Sequence, residues 1–183
     1  MTDPEPTWLV FPDRRASGRF PVTDRSGTVV ARIQPSWTGT SFVAVDADGA
    51  FICSARVPWG GLSSTWRATG PDAGPMLSVT SRFLRSGATV RLEGGGDLVV
   101  RGSAWRRDFT VTDASGASVL TAAPRTSALS FRPHDYAVQQ SGNVLRLPEI
   151  VAIVQIWRMI KKNESAAAAG AATAAGAAGA ASG

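Results

Sequence analysis

The one histidine of the chain, His134, stands in R-P-H-D-Y-A-V beside Asp135 and Tyr136. A neighbouring imidazole and carboxylate are raw material for acid–base catalysis. Adjacent residues of a strand point to opposite faces, however, so His134 reads as a turn residue leading into the strand of Tyr136. Asp46-Ala47-Asp48-Gly49 begins like a calcium loop, but the glutamate that would close such a loop is missing at its spacing. Gly94-Gly95-Gly96 follows Glu93 and precedes an apolar run from Leu98 to Val100. A phosphate-cradling glycine loop opens a helix, so a hairpin turn fits this one better. Cys53, the single cysteine, can make no internal disulfide and falls on the apolar face of its run. There is no G-x-S-x-G elbow, no second His or Cys for zinc and no P-loop. A non-enzymatic protein with no metal and no cofactor is the expectation.

Positive charge is the chemistry that remains. Nineteen Lys and Arg against fourteen Asp and Glu leave +5, and only two of the nineteen, Lys161 and Lys162, are Lys. Such a balance attracts phosphates on lipid or nucleic acid, though arginines on strand exteriors also keep a β surface soluble. No helix-turn-helix and no aromatic ribonucleoprotein strand pair is present, so nucleic acid is not the expected partner. No basic region followed by an apolar one opens the chain, and Thr2 to Pro6 are acidic and proline-bearing. A cytoplasmic location is the default expectation.

The elements that must carry these charges are announced by a repeated phrase. V-T-D-R-S-G at 22–27, A-V-D-A-D-G at 44–49 and V-T-D-A-S-G at 111–116 each place an Asp three residues before a Gly. Asp24, Asp46 and Asp113 can bond their own backbone two residues on, and Gly27, Gly49 and Gly116 can take a positive φ. D-x-x-G between apolar runs is thus a hairpin turn, often with a bulge at the Gly. The first two copies lie 22 residues apart, which puts Trp37 in register with Trp59. Phe51, Cys53, Ala55 and Val57 alternate with polar residues such as Ser54 and Arg56, and Phe109 and Val111 alternate with Thr110 and Thr112. Period two means one buried and one wet face, and turn signals at this spacing indicate an all-β sandwich or barrel. The six Trp are either all core, or Trp59, Trp66 and Trp105 form an exposed patch.

One segment breaks the β pattern. Pro148 and Glu149 suit a helix start, and Lys161 and Lys162 suit its end. Between them Ile150, Ile153, Val154, Ile156, Trp157 and Ile160 help make a helix that is apolar nearly all round, with only Gln155, Arg158 and Lys162 on a polar stripe. Such a helix must be buried on most sides. Its eleven apolar-rich residues would reach roughly 16 Å, too short for a bilayer core. No transmembrane segment is expected. From Ser165 to Gly183 the chain is almost only Ala and Gly, which reads as disordered or transiently helical.

The order of these signals resembles the LURP-one-related proteins. It is carried by repeated V-x-D-x-x-G-type hairpins, then Phe109 to Gly116 as F-x-V-x-D-x-x-G, then Tyr136 to Val138 as Y-x-V, then one apolar terminal helix. The resemblance spans about residues 8–162 and groups the chain with Tubby C-terminal and scramblase-like domains. It implies a mainly β fold, a closed antiparallel barrel of about twelve strands around a buried C-terminal helix. The implied organisation is a flexible N-terminus over 1–7, the barrel over 8–163 with its helix at about 148–162, and a disordered tail over 164–183. The chain departs from the family near the helix end, where Trp157-Arg158-Met159 replaces an acidic residue and any cation site tied to it. By resemblance the function is docking on anionic phospholipid headgroups at a membrane surface, or on a protein partner. Arg82 and Arg85 in S-R-F-L-R-S-G, and Trp105 with Arg106 and Arg107, are the lipid-phosphate candidates, because Arg binds phosphate bidentately and Trp settles at interfaces. Turn-flanking solvated charge is the alternative reading of each cluster.

Overall fold

The computed structural model of the chain describes residues 7–12, 18–58, 63–82, 87–102, 108–125 and 135–180. Twelve strands follow one another: β1 (Trp8–Phe11), β2 (Phe20–Asp24), β3 (Val29–Pro35), β4 (Ser41–Val45), β5 (Phe51–Arg56) and β6 (Ser63–Thr69), then β7 (Pro75–Arg82), β8 (Gly87–Leu92), β9 (Asp97–Gly102), β10 (Phe109–Thr112), β11 (Ser118–Pro124) and β12 (Tyr136–Gln140). Each pairs antiparallel with its sequence neighbours, and β1 closes on β12 with Leu9 opposite Val138. Closure leaves no sheet edge exposed.

The one helix among the described residues, α1 (Leu147–Ala180), enters after β12. Ile150, Val151, Ala152 and Ile153 are each at most 1% exposed. Four consecutive helical residues point in four directions about 100° apart, so this stretch is enclosed on every side. The helix is therefore the filling of the barrel. Inward residues such as Phe11, Ile33, Phe42, Val90 and Leu120 close on it. Its start is a reciprocal cap: the Arg146 backbone N–H donates to Glu149 Oε2 at 2.8 Å, and the Ile150 N–H donates to the Arg146 carbonyl. Beyond Asn163 the helix continues to Ala180, where the composition of 164–183 suggested a disordered tail. Alanine has the best helix propensity, and a helix already nucleated inside the barrel propagates without the cost of a new nucleus.

The up-and-down path sorts the connections by end. One end carries five tight turns of one design. The N–H of Asp24, Asp46, Gly70, Leu92 and Asp113 bonds the carbonyl four residues on, and the N–H three residues on bonds back. These positions lie 22, 24, 22 and 21 residues apart. The sequence pattern shows three of the five. The other two use Gly70 to Ala73 and Leu92 to Gly95, without the Asp. Four of the turns are followed by a register shift, at Val30, Ile52, Met76 and Val119, where one strand carries an extra residue. The extra residue sends two neighbours inward together, as with Ile52 and Cys53 or Val119 and Leu120. This corrects the strict alternation read for β5: Phe51 pairs with Val45, faces out and is 38% exposed.

The opposite end receives the β3–β4 connection, the far ends of β5, β7, β9 and β11, and the outgoing helix. Here Asn163 Nδ2 donates to the Gly39 carbonyl at 3.3 Å.

Candidate functional site

The turn end is occupied by its own chemistry. Asp24 Oδ1 accepts from the Ser26 N–H, the Ser26 hydroxyl and the Thr28 N–H, at 2.7–2.9 Å. Asp113 repeats this with Ser115 and Ala117, and Asp46 Oδ1 accepts from the Asp48 and Ala50 N–H groups. The Ser26 and Ser115 hydroxyls, with backbone N–H groups behind them, hold the Asp24 and Asp113 carboxyls below their ordinary value. Gly27, Gly49 and Gly116 take φ near +90° to complete these turns. The Asp46 carboxylate that suggested a calcium loop is thus a turn brace. Among the described residues, no group of three His, Cys, Asp or Glu could hold a metal ion.

Other reactive side chains are similarly engaged. The Cys53 thiol is fully buried, which pushes its pKa up to about 12. The Arg158 guanidinium sits 5.4 Å from the ring centres of both Phe20 and Tyr136 and donates to the Pro12 carbonyl at 2.8 Å. Arg158 therefore ties the helix to the wall where it leaves the barrel. His134 lies outside the described residues.

So do Arg85, Trp105, Arg106 and Arg107. Arg82 ends β7. Trp66, weighed as part of an exposed patch, is 1% exposed and belongs to the core.

The described residues bring a different pair of arginines together. Arg56 on β5 and Arg67 on β6 are direct cross-strand partners, and both are exposed. Like charges placed opposite each other repel. Among the described residues no carboxylate lies in salt-bridge range of either. Their row continues through Ser41 on one side, and through Ser78 and Arg91 on the other. Arg91 differs, because Asp97 pairs with it at 3.2 Å. Around the Arg56–Arg67 pair the wall is studded with small hydroxyls that bond one another, Ser54 to Thr69 at 2.7 Å and Thr65 to Thr80 at 3.1 Å. Two uncompensated guanidinium groups about 5 Å apart at their backbones match the oxygens of a phosphate group. Sequence reasoning could not find this pair. Both residues carry the outward signal of their strands, but only the register between β5 and β6 sets them side by side.

Beside them stands the β3–β4 connection. The Val57 N–H donates to the Thr40 carbonyl at 3.0 Å, which fixes this turn against the end of β5. Its Trp37 is 93% exposed, although most large apolar side chains of the described residues are core.

Comparison with known proteins places the chain. The family model described as LURP-one-related matches residues 13–155. The X-ray structure of a protein from Arabidopsis thaliana aligns with a TM-score of 0.60 at 18% identity, covering 88% of this chain and 92% of that one. That likeness is one of fold. No curated protein matches the chain.

Proposed function

This chain belongs to the LURP-one-related family, and from that premise we propose that it is a non-enzymatic barrel that docks on anionic phospholipid headgroups. The observation that carries the reading is the Arg56–Arg67 pair, two exposed like charges held opposite each other without a carboxylate partner among the described residues. A wall that tolerates such repulsion gains most when an anion lies across it. The distribution of charge agrees. Around the turns Asp24, Asp46, Asp48, Asp72, Glu93, Asp97 and Asp113 outnumber Arg25, Arg91 and Arg146, while toward the other end Arg19, Arg56, Arg101, Arg125 and Lys162 outnumber Asp108, Asp135 and Glu164. Such a separation orients the barrel in the field of a negative surface. No helix among the described residues is long and apolar enough to cross a membrane, so the docking proposed is peripheral.

The test is co-sedimentation of the full chain with neutral, phosphatidylserine-containing and phosphoinositide-containing vesicles, with double-stranded DNA as competitor. Binding to an anionic vesicle that survives the DNA supports the reading. Arg56→Ala/Arg67→Ala should weaken it roughly thirtyfold, at about 1 kcal/mol for each cation near the surface. No binding to any vesicle overturns it and leaves a protein-interaction barrel as the account.

A further inference from the structure

The exposed apolar side chains are not scattered. Of the four large ones among the described residues, Trp37 lies in the connection between β3 and β4, Val43 on β4 and Phe51 on β5; Val144 is the exception. Val43 faces out between Gln34 and Ser54, and Phe51 faces out opposite Val45. This stripe runs beside Arg56 and Arg67 on the same wall. We infer that Trp37 is a membrane anchor: it enters the bilayer interface while Arg56 and Arg67 take headgroup phosphates, and the barrel lies on its β4–β6 side. The inference rests on the headgroup docking proposed above and adds to it a wedge, a face and an orientation.

The tip that carries Trp37 is built to leave water. Ser36 Oγ bonds Thr38 Oγ1 at 3.2 Å, and Thr38 Oγ1 bonds Thr40 Oγ1 at 2.7 Å. The N–H groups of Thr40 and Ser41 donate to Ser36 Oγ, and the Gly39 N–H donates to the Ser36 carbonyl. Asn163 on the helix takes up the Gly39 carbonyl. Polar groups that satisfy one another can pass into a medium that offers them no partners. An indole at the apex, with cations about two strand spacings (roughly 10 Å) to its side, matches the depths of an interfacial ring and a phosphate layer. Phe51 lies next to the acidic turn of Asp46 and Asp48, so the wall tilts and its Trp37 edge goes deepest. Lying on its side also lets α1 leave along the surface. A barrel standing on that end would drive the helix into the lipid.

The experiment uses the full chain with phosphatidylcholine–phosphatidylserine vesicles whose acyl chains are either plain or brominated. Tryptophan emission is read for the wild type, Trp37→Phe and Trp37→Ala, with co-sedimentation alongside. Brominated chains should quench the wild type, and Trp37→Phe should abolish that quenching while still binding. Trp37→Ala should bind about tenfold more weakly, the effect of one large apolar group returned to water. Quenching that persists in Trp37→Phe, or is absent from a bound wild type, overturns the anchor and leaves headgroup docking standing. Undiminished binding of Trp37→Ala does the same. Failure of the wild type to bind any vesicle removes both.

Discussion

The two ends of the barrel solve the same problem of reversing a strand, and they solve it differently. The turn end uses one design five times: a short turn, a residue at positive φ and, in most copies, an extra strand residue behind it. The carboxylates of Asp24, Asp46, Asp72 and Asp113 are spent on their own backbone. The other end uses connections of varied length, and the one between β3 and β4 presents the exposed Trp37 and meets Asn163 of the outgoing helix. A repeated, self-satisfied end has few groups left to offer a ligand. Stability is concentrated at the turns and in the filling, and the docking proposed here falls to the irregular end and the wall beside it.

That division can be broken experimentally, and the filling shared by both ends gives the largest effect. Val154 is fully buried inside the helix-filled barrel. Val154→Asp sets an unpaired charge there, at a cost on the order of 5 kcal/mol, comparable to the whole stability of a domain. Expression should give insoluble chain. A soluble variant with a cooperative melt would refute the buried filling.

Next comes the loop end, where wall and helix touch most closely. A Cβ added at Gly102 would lie 2.6 Å from Cζ2 of Trp157, whose ring already packs on Phe109 at 5.9 Å between centres. Gly102→Ala should destabilise by about 2 kcal/mol through overpacking, measured by denaturant unfolding. No change would mean that Trp157 is loosely held and this end softer than described.

The turn end should respond less, and with a sign that depends on the copy. Gly27 has φ +89° with open space around its missing Cβ. Gly27→Ala should therefore cost about 1 kcal/mol from backbone strain alone. Ala73 occupies the equivalent place at φ +60°, the one non-glycine residue at positive φ among those described. Ala73→Gly should raise stability by up to about 1 kcal/mol. Thermal melts of the two variants that shift the same way would show that the five turns are not one design.

The smallest effect is acid dependence. Asp24 and Asp113 are held below their ordinary 3.8 in the folded chain. A depressed carboxylate stabilises fully above that value, and the contribution is lost as pH falls through the lower folded one. The melting temperature should therefore drop on acidification below about pH 4. Asp24→Asn/Asp113→Asn should flatten part of that slope. An unchanged slope would assign the acid sensitivity to other carboxylates.

How much of this was legible beforehand follows the same division. The turns at Asp24, Asp46 and Asp113 can be read because side chain and glycine both advertise them. The turn at Leu92 is legible from Gly94-Gly95-Gly96, whereas that at Gly70 is not, because the bonds that define the turn come from backbone groups any residue supplies, and Asp only reinforces them. The filling helix was legible as a run apolar on all sides. Its continuation to Ala180 was legible only as one of two readings, disordered or transiently helical, since composition does not reveal that the nucleus is provided by the barrel. The Arg56–Arg67 pair and the exposure of Trp37 were hidden for another reason. They depend on cross-strand register and on which side of a turn meets solvent, and neither is written in local spacing. The lipid candidates read from sequence, at Arg85 and at Trp105 to Arg107, lie outside the described residues.

The position of the filling in the chain has a consequence for biosynthesis. A polypeptide emerges N-terminus first, at a pace slow compared with local folding. The last wall strand ends at Gln140, whereas Ile150 to Ile160 follow it. The vessel is thus translated before its contents. Until the helix is delivered, the inner faces of Phe11, Ile33 and Phe42 have nothing to close upon, and the nascent sheet carries apolar surface of the aggregation-prone kind.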